Sequence, residues 1–263
     1  MVIPVLTLGI LGLLFGLALA YASIRFAVNE DPRLKDILAA LPGTNCGACG
    51  SAGCRAFSER LLKKEVDASG CVAGGVPVAQ KLSSLLGVSA VKKVKKMAVL
   101  HCGAGISKRT RIASYDGIAT CKAANLILGG ELACSYACLG YGDCSRICPF
   151  DAITMKDGLP KVDAQKCRAC GKCLAVCPKK LFTLEPFETP LVAVACASLD
   201  KGAFVKKVCE VGCIACKICE KECPCVFTIE DNLARIDYTK QAPDTNWGAA
   251  IEKCPQHTIT RCA

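Results

Sequence analysis

The chain has 263 residues, 23 of them cysteine, and a formal charge of +10 that counts every thiol as neutral. So long a chain with an odd number of cysteines argues against a secreted disulfide scaffold. With only 5% aromatic residues and no aromatic–basic interleaving, the positive charge does not read as a base-stacking nucleic-acid surface. It reads as compensation for anionic groups, since a cubane held by four thiolates carries about −2 when oxidised.

In chain order the first predicted element is a helix. Residues 2–22 form an uncharged run of 21 residues, the length that crosses a bilayer core, and the first ionisable side chain is Arg25. A cleaved signal peptide is the rival, because Ala18-Leu19-Ala20-Tyr21-Ala22 resembles a small-residue cleavage site. No Lys or Arg precedes the apolar run, so a retained anchor is the better reading. Arg25, Arg33 and Lys35 follow the span and place the rest of the chain on the cytoplasmic side of a single-pass cytoplasmic-membrane protein. Gly12-x3-Gly16, with Gly9 one turn earlier, is a weak signal for close approach of another helix.

Residues 31–41 read as a short amphipathic helix stopped by Pro42-Gly43. Cys46-x2-Cys49-x4-Cys54 follows, with Cys71 seventeen residues later; helices are expected over 56–65 and 78–86. Gly47, Gly50 and Gly53 remove side chains beside these cysteines, so backbone N–H groups can approach the sulfurs. Spacing alone also allows a four-cysteine zinc site; the motifs downstream favour a [4Fe–4S] cluster. The linker 88–96 carries Lys92, Lys93, Lys95 and Lys96, either a solvated run or a docking patch for an acidic redox partner.

The remainder repeats itself. An apolar strand ending in Cys, a basic stretch, a second Cys and a cysteine-rich loop occur over 98–153 and again over 192–229. Cys167-x2-Cys170-x2-Cys173-x3-Cys177-Pro178 is the bacterial ferredoxin spacing, in which three thiolates hold one cubane and the fourth reaches the other. Its mate runs Cys134, Cys138, Cys144, Cys148-Pro149 with looser spacing. The crossover rule then gives Cys134, Cys138, Cys144 and Cys177 to one cubane, and Cys167, Cys170, Cys173 and Cys148 to another. Strands follow each motif, at Ile153 and Phe182. In the second half Cys213, Cys216, Cys219 and Cys223-Pro224 are intact, but of the expected mate only Cys254-Pro255 remains and residues 245–250 hold no thiol. Cys254 can complete Cys213, Cys216 and Cys219, which leaves Cys223 without partners and Cys225 and Cys262 unassigned. Cys102, Cys121, Cys196 and Cys209 occupy matching positions ahead of the two cluster loops. Either they converge on one extra cluster about a pseudo-two-fold axis, or they are buried thiols or disulfides. The expected cofactors are therefore four [4Fe–4S] clusters, or five with this set.

No hydrolytic or nucleophilic site emerges, so no catalytic residue is assigned. His101 and His257 read as structural or exposed, and Gly74-Gly75 and Gly129-Gly130 form neither a phosphate loop nor a dinucleotide fingerprint.

The order of anchor, LPGTNCGACGSAGC and ferredoxin motifs resembles the B subunits of Rnf electron transport complexes over essentially the whole chain. The segments CLGYGDC and KGAFVKKVCEVGCIACKICEKECP are similar to longer members of that family. The resemblance implies an ion-pumping membrane assembly that moves electrons between reduced ferredoxin and a second carrier, usually NAD. This chain would accept electrons from soluble ferredoxin and pass them to its membrane partners, with no substrate chemistry of its own. It also implies that Cys46, Cys49, Cys54 and Cys71 hold the first cluster; the thiol-free stretch 245–250 departs from the family pattern at one cluster. Two rivals are a polyferredoxin component of a hydrogenase or heterodisulfide reductase, which would lack the LPGTNCGACG segment, and a zinc-binding structural protein. The expected fold is α+β: an anchor (1–26), a small helical four-cysteine module (29–90), and two ferredoxin-like domains, the second degenerate (91–190 and 191–263).

Overall fold

The computed structural model describes residues 2–26, 31–88, 94–187, 191–241 and 245–262. Helix α1 (Val2–Arg25) is apolar on every side, and none of its span Ile3–Arg25 is buried against the rest of the chain. At 1.5 Å per residue these 23 residues reach about 35 Å, enough for the roughly 30 Å hydrocarbon core of a bilayer. A helix with no polar face and no protein partner is stable only where lipid or another protein covers it.

Three short helices build the next module. Helix α2 (Pro32–Ala40) begins at Asp31, whose carboxylate accepts the Arg33 N–H at 2.9 Å. Helix α3 (Cys54–Leu62) starts two residues earlier than its sequence pattern suggests, so Cys54 is its first residue. Helix α4 (Gly75–Leu86) is closed by Gly87 in the left-handed conformation (φ 65°). Ile37, Phe57, Leu61 and Leu82 pack together as the core, with Cys71 in the same cluster.

The rest mixes short strands and helices. Strand β1 (Lys96–Leu100) is followed by α5 (Cys121–Leu126), α6 (Asp143–Arg146), the hairpin of β2 (Ile153–Lys156) and β3 (Leu159–Val162), α7 (Lys172–Val176) and β4 (Phe182–Pro186). Strand β4 returns antiparallel to β1, with Leu100 opposite Phe182. The same order recurs: β5 (Val192–Val194), α8 (Gly202–Val208), α9 (Ile218–Glu222), the hairpin of β6 (Phe227–Glu230) and β7 (Leu233–Ile236), α10 (Trp247–Glu252) and β8 (Ile259–Arg261). Strand β8 pairs antiparallel with β5, Val194 opposite Ile259. Both hairpins turn through two residues with positive φ, Asp157-Gly158 and Asp231-Asn232, as right-twisted strands require.

Strand β5 joins the two halves. Its side chains alternate, Val192 and Val194 entering the core of the second half and Ala193 that of the first. His101 clasps the same seam: its ring nitrogens lie 2.9 Å from the Val194 carbonyl and 2.8 Å from the Thr183 hydroxyl. Both ring positions are thereby used within the fold, so His101 is a structural residue.

Candidate metal centres

Four cysteine quartets each line a separate hollow. In the first, Cys46, Cys49, Cys54 and Cys71 meet Leu41, Phe57 and Val72. The loop is held by Asn45, whose side-chain oxygen accepts the Cys54 N–H at 2.9 Å. A Cβ at Gly53 would lie 3.0 Å from that same oxygen and would press on the Asn45 side chain. Burial pushes the Cys71 thiol up, and the neighbouring Cys49, Cys54 and Cys46 push it further, against the Gly74 N–H.

A second hollow gathers Cys148, Cys167, Cys170 and Cys173 beside Ala98, Phe150, Ala152 and Ile153. Cys148 comes from the other motif, as the crossover rule expects. Cys173 is pushed up to about 12, by burial first and then by Cys170 and Cys167. Lys172, between two of these cysteines, extends its Nζ to the Cys46 carbonyl at 2.8 Å. This bond fixes the helical module beside the second hollow and sets a cation between the two quartets.

The third hollow differs from the expected set. Cys138, Cys144 and Cys177 line it with Leu100, Leu139, Leu181 and Phe182, but its fourth thiol is Cys121 and not Cys134. Thr120 caps α5 by accepting the Ala123 N–H at 3.1 Å, and the Lys122 N–H donates to Asp143 at 3.1 Å, next to Cys144. These two bonds swing the start of α5 over the hollow. Cys144 is pushed up to about 11, by burial and then by Cys121 and Cys177. Cys134 lies instead near Cys102 and Cys209.

The fourth hollow brings Cys213, Cys216, Cys219 and Cys254 together with Val194, Ile218, Ile229 and Ile259. Burial, then Cys213 and Cys216, pushes Cys219 up to about 11. In the same half, Trp247 packs edge-on to Phe227 with ring centroids 5.9 Å apart. Ala250 is fully buried behind them. Cys223 gives its S–H to the Asn246 carbonyl at 3.4 Å, the behaviour of a neutral thiol. Cys225 is exposed, and Cys262 packs against the core of the first half. Lys92 and Lys93 lie outside the described residues; Lys96 is exposed, and the Lys95 ammonium sits 4.5 Å from the Phe187 ring centroid.

The donor sets fit iron–sulfur clusters. Four thiols face each apolar hollow, and crowded buried thiols that repel one another as thiolates call for a cationic metal core. Among the described residues no three Cys, His, Asp or Glu side chains converge closely enough to share one metal ion.

The exchange of Cys121 for Cys134 had a signal in the sequence. Cys134, Cys138, Cys144 and Cys148 recur 75 positions later as Cys209, Cys213, Cys219 and Cys223. In that register Cys216 has no counterpart, because the first half carries Tyr141 three residues after Cys138. The first half therefore lacks one thiol in its loop, and Cys121 takes that place at the hollow.

An apolar amino-terminal helix followed by cysteine-lined hollows defines a membrane-associated iron–sulfur electron-transfer protein. Residues 41–73 match a family model described as "Putative Fe-S cluster", and residues 129–185 match the LdpA Fe-S cluster-binding domain. The chain is 41% identical over 260 residues to the B subunit of the Na(+)-translocating ferredoxin:NAD(+) oxidoreductase complex of Acetobacterium woodii, covering 98% of this chain and 77% of the relative. It is 38% identical over 251 residues to the B subunit of the ion-translocating oxidoreductase complex of Methanosarcina acetivorans, covering 95% and 94%. The proton-translocating counterpart from Clostridium ljungdahlii is 40% identical over 262 residues, covering 98% and 91%. The chain belongs to the family of B subunits of ion-translocating oxidoreductase complexes, the Rnf family.

Proposed function

We propose that this protein takes electrons from a reduced soluble ferredoxin at the cytoplasmic face of the membrane and passes them to the other members of its complex, with NAD as the usual final acceptor. The observation that carries this reading is the presence of four separate cysteine quartets in one chain behind an apolar helix. The ferredoxin:NAD(+) activity stands in the names of two relatives. Both halves are read as ferredoxin-like domains, the second having lost one cluster to the Trp247–Phe227 core.

The ligand sets are Cys46, Cys49, Cys54 and Cys71; Cys121, Cys138, Cys144 and Cys177; Cys148, Cys167, Cys170 and Cys173; and Cys213, Cys216, Cys219 and Cys254. Bound [4Fe–4S] clusters supply reversible one-electron storage. The chain's own residues bury the sulfurs, aim amides at them and balance their charge. The Leu181 N–H, for example, reaches the Cys177 sulfur at 3.5 Å. Anaerobically purified full chain should contain at least about sixteen irons with matching acid-labile sulfide. Stoichiometric zinc without sulfide overturns the reading.

The span is read as uncleaved and the soluble part as cytoplasmic, on the uncharged run followed by Arg25, Arg33 and Lys35. Amino-terminal sequencing of the mature membrane protein should begin at or next to Met1; a start after Ala22 contradicts this. Lys92, Lys93, Lys95 and Lys96 are read as part of the docking surface for ferredoxin. Replacing all four by Ser should slow ferredoxin oxidation several-fold at low salt and little at high salt, because exposed charges are screened within about 10 Å at 0.1 M. An unchanged rate and salt dependence makes the run ordinary solvated surface.

A further inference from the structure

Besides Cys223, Cys225 and Cys262, four cysteines remain outside the four hollows, and they meet at the seam between the halves. Cys102 and Cys196 each follow an apolar strand segment. The Gly103 N–H donates to the Ala195 carbonyl at 2.9 Å, and a Cβ on Gly103 would lie 3.0 Å from that of Ala195. The bare glycine thus lets the two cysteine-bearing segments run side by side. Cys209 reaches the seam from the end of α8, where it stands opposite Arg109 in an antiparallel bridge. Flanking bonds run from Thr110 N–H to Val208 O and from Glu210 N–H to Lys108 O, each 3.1 Å. Cys134 lies within electrostatic reach of Cys102 and Cys209, and Cys196 within reach of Cys134.

The set is symmetric. In each half the first cysteine of a Cys-x3-Cys pair, Cys134 or Cys209, turns to the seam, while the second, Cys138 or Cys213, lines that half's own hollow. Cys102 and Cys196 complete the seam from equivalent strand ends.

All four sulfurs accept backbone N–H groups. Cys138 N–H points at Cys102 Sγ (3.5 Å) and Ser198 N–H at Cys196 Sγ (3.4 Å). The Tyr136 amide serves Cys134, and those of Val211 and Gly212 serve Cys209. Neutral thiols are weak acceptors, whereas sulfurs ligating a cluster are regularly ringed by amides. Arg109 adds a second, independent sign. Only 9% exposed, it donates through its guanidinium to the Cys138 carbonyl. Its Nε has no hydrogen-bond partner, and no carboxylate pairs with it among the described residues. A buried cation without a counter-ion is costly, and an anionic cluster beside it removes that cost.

We propose that Cys102, Cys134, Cys196 and Cys209 hold a fifth [4Fe–4S] cluster between the two halves. The proposal rests on the reading of the other quartets as cluster sites. The site adjoins the third hollow through Cys138 and the fourth through Cys213, so it links two domains that otherwise carry separate groups. Disulfides are disfavoured in the reducing compartment proposed for this domain, and these four cysteines form none in the structure. The three other members replace the expected partner Cys121 by Cys134.

Native mass spectrometry of the anaerobically purified full chain in detergent tests this by counting bound clusters. The wild type should reach the mass of five clusters, about twenty irons. The Cys134→Ser, Cys209→Ser double variant should stop at four, and Cys225→Ser, at an exposed position, should keep five. A wild type that stops at four, or a double variant that keeps the wild-type number, overturns the proposal. Should the double variant not fold, the wild-type mass alone decides. Four clusters in the wild type sink the seam cluster and leave the proposed function standing, whereas no cluster at all sinks both.

Discussion

Cys121→Ser should strip about four irons from the chain. The third hollow has no other thiol to offer in place of Cys121, since Tyr141 stands where the second half has Cys216. The Tyr141 hydroxyl is engaged with Glu131 at 3.2 Å, and its ring packs edge-on to Tyr115 at 5.7 Å, so it is committed to the local core. Serine is a much poorer ligand for an iron–sulfur cluster than thiolate. Adding Cys177→Ser should cost no further iron, because both residues serve one group. Adding Cys134→Ser should cost about four more, because that residue serves another. Iron and acid-labile sulfide on the purified variants check the pattern. An additive loss in the Cys121, Cys177 pair, or no loss in Cys121→Ser, rejects the assignment.

Trp247→Ala should destabilise the second half by about 3–5 kcal/mol, the range for deleting a large buried aromatic side chain. Trp247 is 7% exposed and lies against Phe227, which is fully buried, and its helix α10 also brings in the buried Ala250. With no thiols over 245–250, apolar side chains pack with Cys223 in this core. Hydrogen exchange in the holoprotein checks it locally. Amides of β6 and β7 should exchange about a hundredfold faster or more, at about 1.4 kcal/mol per tenfold. Those of β1 and β4, in a separate core, should keep their rates. Unchanged exchange in β6 contradicts the role given to Trp247.

Much of this arrangement was legible in the sequence because it is written in local spacing. Cys46, Cys49 and Cys54 share one glycine-rich loop, and Cys167, Cys170 and Cys173 another, so short-range geometry alone brings each trio to one hollow. The apolar run of α1 is equally local. Cys121 and Cys134 are where local reading fails. They stand thirteen positions apart, and which one reaches Cys138, Cys144 and Cys177 depends on how α5 docks. That docking is set by Thr120 and by the Lys122 contact with Asp143, a bond across 21 residues that no spacing rule contains. The 75-residue register shift between the halves carried the information, but it becomes readable only once Tyr141 is aligned with Cys216. Helix starts were missed for a simpler reason. Glycines and cysteines are weak helix formers, so Cys54 and Gly75 begin α3 and α4 through tertiary contacts and not through propensity.

An iron–sulfur relay fed by ferredoxin has to accept electrons from it directly. Reduced ferredoxin is therefore added to the anaerobically purified, oxidised full chain, and the visible absorption of the chain is followed. The protein should be brown, and its absorption should bleach as ferredoxin is oxidised. Several electrons should be taken up per chain, at a rate that falls as salt is raised. A colourless, zinc-loaded chain, or a brown one that ferredoxin does not reduce, would contradict the proposed function.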